Sequence, residues 1–176
     1  LVLTTSYSFL LKRVVVLDVV ILAALYTVRV VAGAAAVTVP LSRWFLAFSV
    51  FLFLSLALLK RLVEVAGASD RDEASVPGRG WEVGDLPILR SLGIGSGVVA
   101  ALVYCLYITE RPTVEELYAH PDLLWVGLPV ILYWLSRVWL LANRGEVHDD
   151  PVVFALRDRV SYLVLALLVA MVMVAA

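Results

Sequence analysis

Apolar residues along this chain gather into long blocks, and the polar residues gather between them. Five blocks approach the roughly 20 residues that a helix needs to cross the hydrocarbon core of a bilayer. They lie at about 14–38, 42–63, 89–109, 122–142 and 159–176, and residues 1–10 read as the tail of a further helix. Lipid offers no water to unpaired backbone groups, so only helices and closed barrels span it. The blocks lack a strict two-residue period, which predicts helices. Pro40 separates the first two blocks, with Ser42 placed to cap the second. The polar stretches are Gly67–Leu86, Thr109–Asp122 and Ala142–Asp158, and within the second, Pro112 and Thr113-Val114-Glu115-Glu116 predict a short capped helix.

Composition agrees with the pattern. Of 176 residues, 62% are hydrophobic and 16% charged, with a mean hydropathy of +0.97; a soluble domain runs nearer half apolar and a quarter charged. A net charge of −1 supplies no basic field, so nucleic acid is not an expected partner. The single Cys105 lies in an apolar block and reads as a small filler. Distribution of charge matters more than its sum. Eleven Lys and Arg residues (Lys12, Arg13, Lys60, Arg61, Arg71, Arg79, Arg90, Arg137, Arg144, Arg157 and Arg159) flank one side of the predicted bundle; the other side has Arg43 and Arg111, and Arg29 lies within a span. The positive-inside rule makes the eleven-residue side cytoplasmic. The expectation is a multi-pass protein of the cell membrane whose long polar loops mostly face the cytoplasm. The chain opens on Leu-Val-Leu and closes within an apolar run, so it is expected to be a piece of a longer polypeptide.

Candidate chemistry sits at that basic side. An Arg inside a span is costly in lipid and faces a partner or a cavity, which makes Arg29 a candidate pocket residue. Lys60, Arg61 and Glu64 end the second block; they serve either as interfacial anchors or as donors to phosphate oxygens. The polar segment that follows mixes carboxylates with basic residues, and oxygen ligands of this kind suit Mg²⁺ shared with substrate phosphates. Asp85, just before the next span, is the candidate metal ligand. Arg157 and Asp158 are placed to cap and orient the last helix. Gly93-Ile94-Gly95-Ser96-Gly97 lies inside a span without a preceding strand, so Gly93 and Gly97 predict close helix packing. The tryptophans near span ends, Trp44, Trp81 and Trp125, read as interfacial anchors.

Several strings together carry a resemblance. Tyr7-Ser8-Phe9-Leu10-Leu11-Lys12-Arg13, Leu25-Tyr26-Thr27-Val28-Arg29 with Ala32-Gly33, Ser42-Arg43-Trp44-Phe45-Leu46, Lys60-Arg61-x-x-Glu64, Gly78-Arg79-Gly80-Trp81 and Asp149-Asp150-Pro151 through Arg159 resemble UbiA-superfamily prenyltransferases. The subgroup that looks most similar contains bacterial decaprenyl-phosphate phosphoribosyltransferases and relatives, some fused to a haloacid-dehalogenase-like domain. The resemblance implies the end of helix 4 through helix 9 of an all-α transmembrane bundle, with the segment at about 64–88 as a cytoplasmic active-site loop. The family's first Asp-rich motif has no counterpart in this sequence.

The resemblance further implies an Mg²⁺-dependent transferase of alkyl or aryl (prenyl) groups. Its substrates would be a polyprenyl phosphate or diphosphate lipid and a cytoplasmic-side co-substrate, with diphosphate as leaving group; phosphoribosyl transfer to a polyprenyl phosphate is one form. Lys60, Arg61 and Asp85 are then the expected catalytic residues, with Asp85 toward the metal. Tyr7, Lys12, Arg29, Glu64, Arg79 and Arg157 are the expected substrate-binding residues. This segment alone is expected to be inactive. The alternatives are a transporter, which predicts internal repeats that the sequence does not display, and a non-catalytic helical membrane subunit.

Overall fold

The structure, a computed structural model, describes residues 14–38, 41–69, 71, 74–75, 80–110, 114, 116–147, 150–155 and 157–176. Tyr7, Lys12 and Arg79 therefore lie outside the described residues. Among the described residues six helices follow one another: α1 (Leu17–Ala36), α2 (Arg43–Ser69), α3 (Leu86–Thr109), α4 (Gly127–Asn143), α5 (Pro151–Ala155) and α6 (Arg159–Ala175). Short 3-10 turns, Val83–Asp85 and Pro121–Val126, lead into α3 and α4. Among the described residues the sole β feature is an isolated bridge between Ser75 and Glu82.

Local chemistry explains most of the boundaries. The Ser42 hydroxyl accepts the Phe45 amide at 3.0 Å and starts α2. Asp158 caps α6 by accepting the Ser161 amide at 2.8 Å. α2 runs to Ser69, past the predicted limit near 63, because its charged residues find partners and its last turns bury Val65 and Ala68. α3 starts before the predicted 89, since Glu82 and Asp85 form a reciprocal capping box ahead of it.

α2 packs against α1 on one side and α3 on the other, and α4 joins α3 to α6. The α2–α3–α4 seam is held by one hydroxyl. Ser55 donates to the Gly93 carbonyl at 2.8 Å and accepts the Trp139 indole N–H at 3.0 Å. Gly93 is required there: a Cβ at this position would stand 2.1 Å from the Trp139 ring. One turn on, a Cβ at Gly97 would meet the Ser55 oxygen at 3.1 Å. The close packing predicted from this glycine pair is thus the packing observed. Buried apolar residues, among them Leu59, Leu62, Val65, Trp81, Leu89 and Val138, concentrate at the α2 C-terminal end of this seam.

Large apolar side chains also cover the outside, with Leu163 69% and Met173 74% exposed. Leu17–Ala36, Arg43–Ser69, Val83–Thr109 and Pro121–Asn143 are each long and apolar enough to cross a membrane, and α6 is a shorter apolar helix of 17 residues. The architecture is an all-α membrane helical bundle. Its two ends differ: one collects Asp18, Lys60, Arg61, Trp81, Arg137 and Asp158, and the other is tied by Trp44 to Glu110 and by the His120 amide to the Ala175 carbonyl at 2.9 Å.

Candidate functional site

The charged residues that end α2 are paired with residues distant in sequence. Arg61 is fully buried, and its Nη2 lies 2.8 Å from Oδ2 of Asp18, itself fully buried in the first turn of α1. Nη1 of Arg61 donates to Glu64, one turn further along α2. Lys60, on the neighbouring face, pairs with Asp150 at the start of α5. An Asp in an apolar helix needs such partners, since an isolated charge in lipid costs several kcal/mol.

Trp81 completes the cluster. It is 1% exposed and donates its indole N–H to both Asp18 carboxylate oxygens, at 3.1 and 3.2 Å. The expectation of an interfacial anchor is corrected here: the ring is buried among core residues of α2 and α3 because Asp18 gives its N–H an acceptor. Trp125 is 44% exposed, as an interfacial residue would be.

Of the predicted site residues, Lys60, Arg61 and Glu64 come together. Asp85 has a local role beside them: its carboxylate accepts the Glu82 amide at 3.0 Å. Arg157 is exposed in the turn between α5 and α6. Arg29 lies three turns along α1 from Asp18, roughly 16 Å at 1.5 Å per residue. It is exposed among the described residues, with its guanidinium carbon 5.2 Å from the Tyr26 ring centroid. Tyr26 in turn stacks on Phe53 of α2 at 5.5 Å. Asp18, Trp81 and Asp150 are members that the sequence reading did not place in the site. A signal existed for Asp18, a carboxylate within an apolar block, but nothing local pointed to Arg61 as its partner.

A further ion pair joins α4 to the start of α6. Arg137 of α4 donates to Asp158 from both terminal nitrogens, at 2.7 and 3.1 Å, while Ser161 adds its hydroxyl at 2.8 Å. Burial pushes the Asp158 carboxyl up, but Arg137 and the two Ser161 bonds outweigh it and hold the group below its ordinary value.

Below these charges lies an apolar cavity of about 550 Å³ between α2, α3, α4 and α6. Its walls include Phe48, Leu52, Ile131, Trp134, Leu165 and Leu168, with Trp44, Tyr104, Tyr107 and Tyr118 toward the far end. Toward the charged end it reaches Ser161 and Ala155. α5 therefore links the two features: Asp150 at its start binds Lys60, and Ala155 at its end lines the cavity. Among the described residues no three His, Cys, Asp or Glu side chains converge as a metal-holding group. The arrangement juxtaposes cationic donors able to meet phosphate oxygens with an apolar space able to take a hydrocarbon chain.

No protein-family model matches the chain. It is 42% identical over 168 residues to the uncharacterized protein y4nM of Sinorhizobium fredii, covering 96% of this chain and 33% of that protein. It is 35% identical over 143 residues to nodulation protein NoeC of Azorhizobium caulinodans, covering 81% and 46%. A decaprenyl-phosphate phosphoribosyltransferase of Mycolicibacterium smegmatis is 28% identical over 158 residues, covering 88% and 49%. The chain thus spans between a third and a half of the length of these curated relatives.

Proposed function

We propose that the protein to which this chain belongs is a UbiA-like membrane transferase that couples a polyprenyl phosphate lipid to a phosphorylated co-substrate, with diphosphate leaving. The observation that carries this reading is the junction of a cationic cluster with an apolar cavity through α5. The similarity to decaprenyl-phosphate phosphoribosyltransferase supports the same assignment of substrates.

In this reading the prenyl chain occupies the cavity, shielded from water by apolar and aromatic walls, and its phosphate lies near Lys60. Lys60 and Arg61 meet phosphate oxygens as charge builds on the departing diphosphate; fixed donors aimed at developing charge are where catalysis gains most. In the phosphoribosyl form, an oxygen of the lipid phosphate attacks the sugar carbon. The bond from that carbon to diphosphate breaks, and the electron pair leaves with diphosphate. Mg²⁺ is part of the proposal. The ion needs only one or two protein carboxylates when substrate phosphates supply further oxygens, and Asp85 and Glu64 are the described residues whose chemistry fits. When bound, it would neutralise phosphate charge.

The test is to express the complete reading frame in membranes with labelled phosphoribosyl diphosphate and polyprenyl phosphate, and to follow label into lipid. Wild type is expected to form a lipid-soluble product. Lys60→Ala is expected to lower kcat/KM at least tenfold, the scale of a charge-assisted bond of about 1.5–3 kcal/mol. Unchanged activity in Lys60→Ala would remove Lys60 from the site; no product with either this pair or an allylic diphosphate and an aromatic acceptor would refute the transferase reading.

A further inference from the structure

We infer that Asp18 is a positioning residue that locks the returning end of the α2–α3 connection onto the phosphate-binding end of α2. The inference rests on the proposed reading for its kinetic consequence and on the geometry alone for the lock. One buried carboxylate engages three elements: it belongs to α1, it stands 2.8 Å from Nη2 of Arg61 in α2, and it accepts the indole N–H of Trp81, two residues before the turn that opens α3. Asp18, Arg61 and Trp81 are each at most 1% exposed, so water does not replace one partner when another leaves.

Arg61 is held rather than saturated. Its Nη2 faces Asp18 at ion-pair distance without hydrogen-bond alignment, and Nε has no hydrogen-bond acceptor among the described residues. A buried guanidinium in that state is costly, and the Asp18 charge is what keeps it at the end of α2 where Lys60 stands. Trp81 reports to the same carboxylate, so the chain at Trp81, just ahead of α3, is held at this end of α2 only while the Asp18 bonds persist. Disturbing the lock should therefore weaken capture of the phosphorylated co-substrate and leave the lipid in its cavity untouched.

Two substitutions in the full-length protein separate the contributions. Trp81→Phe keeps the ring and removes the N–H; Asp18→Asn keeps the shape and one acceptor while removing the charge. Trp81→Phe is expected to raise KM for the phosphorylated co-substrate about tenfold, with kcat and the KM for polyprenyl phosphate within about threefold of wild type, the split that marks lost binding. Independently of any activity, limited trypsin digestion of the solubilised protein should cut at Arg71 about tenfold faster in Trp81→Phe. Inorganic diphosphate with Mg²⁺ should slow that cleavage in wild type more than in Asp18→Asn. If both variants match wild type in cleavage, the lock does not exist, whatever the enzyme does. If both KM values rise and kcat falls along with the yield of folded protein, the residues are merely structural and the positioning role is overturned. Should Asp18→Asn fail to accumulate, the Trp81→Phe results decide alone. Wild type that shows the cleavage differences but makes no lipid product would keep the lock and reject the reaction assigned above.

Discussion

Asp158 does two jobs with one carboxylate: it caps α6 through Ser161 and binds the Arg137 guanidinium of α4. Because its folded-state pKa lies below the ordinary 3.8, its stabilising contribution is complete above the unfolded value and fades as pH falls through the folded one. Thermal unfolding in detergent should therefore show a constant gap between wild type and Asp158→Asn at about pH 5 to 8, narrowing below about pH 4. A gap that widened in acid would reverse the assignment. Residues of this local kind were legible in advance. Ser42 and Asp158 sit where a helix start requires an acceptor, and both cap as their positions predicted. Trp81 and Asp18 were not legible, because 63 positions separate them and no period or spacing links an indole in a polar segment to a carboxylate in another helix. The pairing of Lys60 with Asp150, 90 positions apart, was not legible for the same reason.

Among the helices, α2 is the element that α1 and α3 pack against, and Ser55 shows how tightly. Ser55→Ala removes the acceptor of the Trp139 N–H and one donor to the Gly93 carbonyl; leaving a buried N–H unpaired costs about 1–3 kcal/mol. Gly93→Ala drives a methyl group into the Trp139 ring, an overpacking cost of about 1–3 kcal/mol. Both should lower the unfolding temperature in detergent, and Gly97→Ala, with its milder 3.1 Å approach, should lower it less than Gly93→Ala. Equal losses for the two glycine variants would mean that Trp139 moves aside easily. Helix positions were legible from apolar blocks because lipid demands length and hydrophobicity together. Their ends were less so: α2 and α3 extend beyond their apolar cores where charge pairs and a capping box carry the helix on.

At the scale of the whole molecule, the uneven spread of Lys and Arg predicts which end faces the cytoplasm. In a Cys105→Ala background, Ala74→Cys should react with a membrane-impermeant maleimide only after cells are opened. Glu116→Cys, at the other end, should react in intact cells. The opposite labelling pattern would invert the orientation and place the Lys60 cluster away from cytoplasmic phosphorylated substrates. What this scale hid from sequence reading was the cavity. Its lining residues, such as Phe48, Trp134 and Leu168, look like any other apolar helix positions until the helices are assembled around a shared gap.

The Ser55 junction also bears on how the molecule is made. Spans enter the bilayer in order of synthesis, and Trp139 is 84 positions downstream of Ser55. At about 5–20 residues per second, the ribosome delivers that tryptophan roughly 4 to 17 s after its partner. During that interval α2 and α3 can already meet, with Ser55 bonded to the Gly93 carbonyl and a vacant notch beside the glycine. The notch is then a keyhole for the late arrival: α4 completes the seam by presenting an indole, and an α4 without one would leave the notch beside Gly93 unfilled.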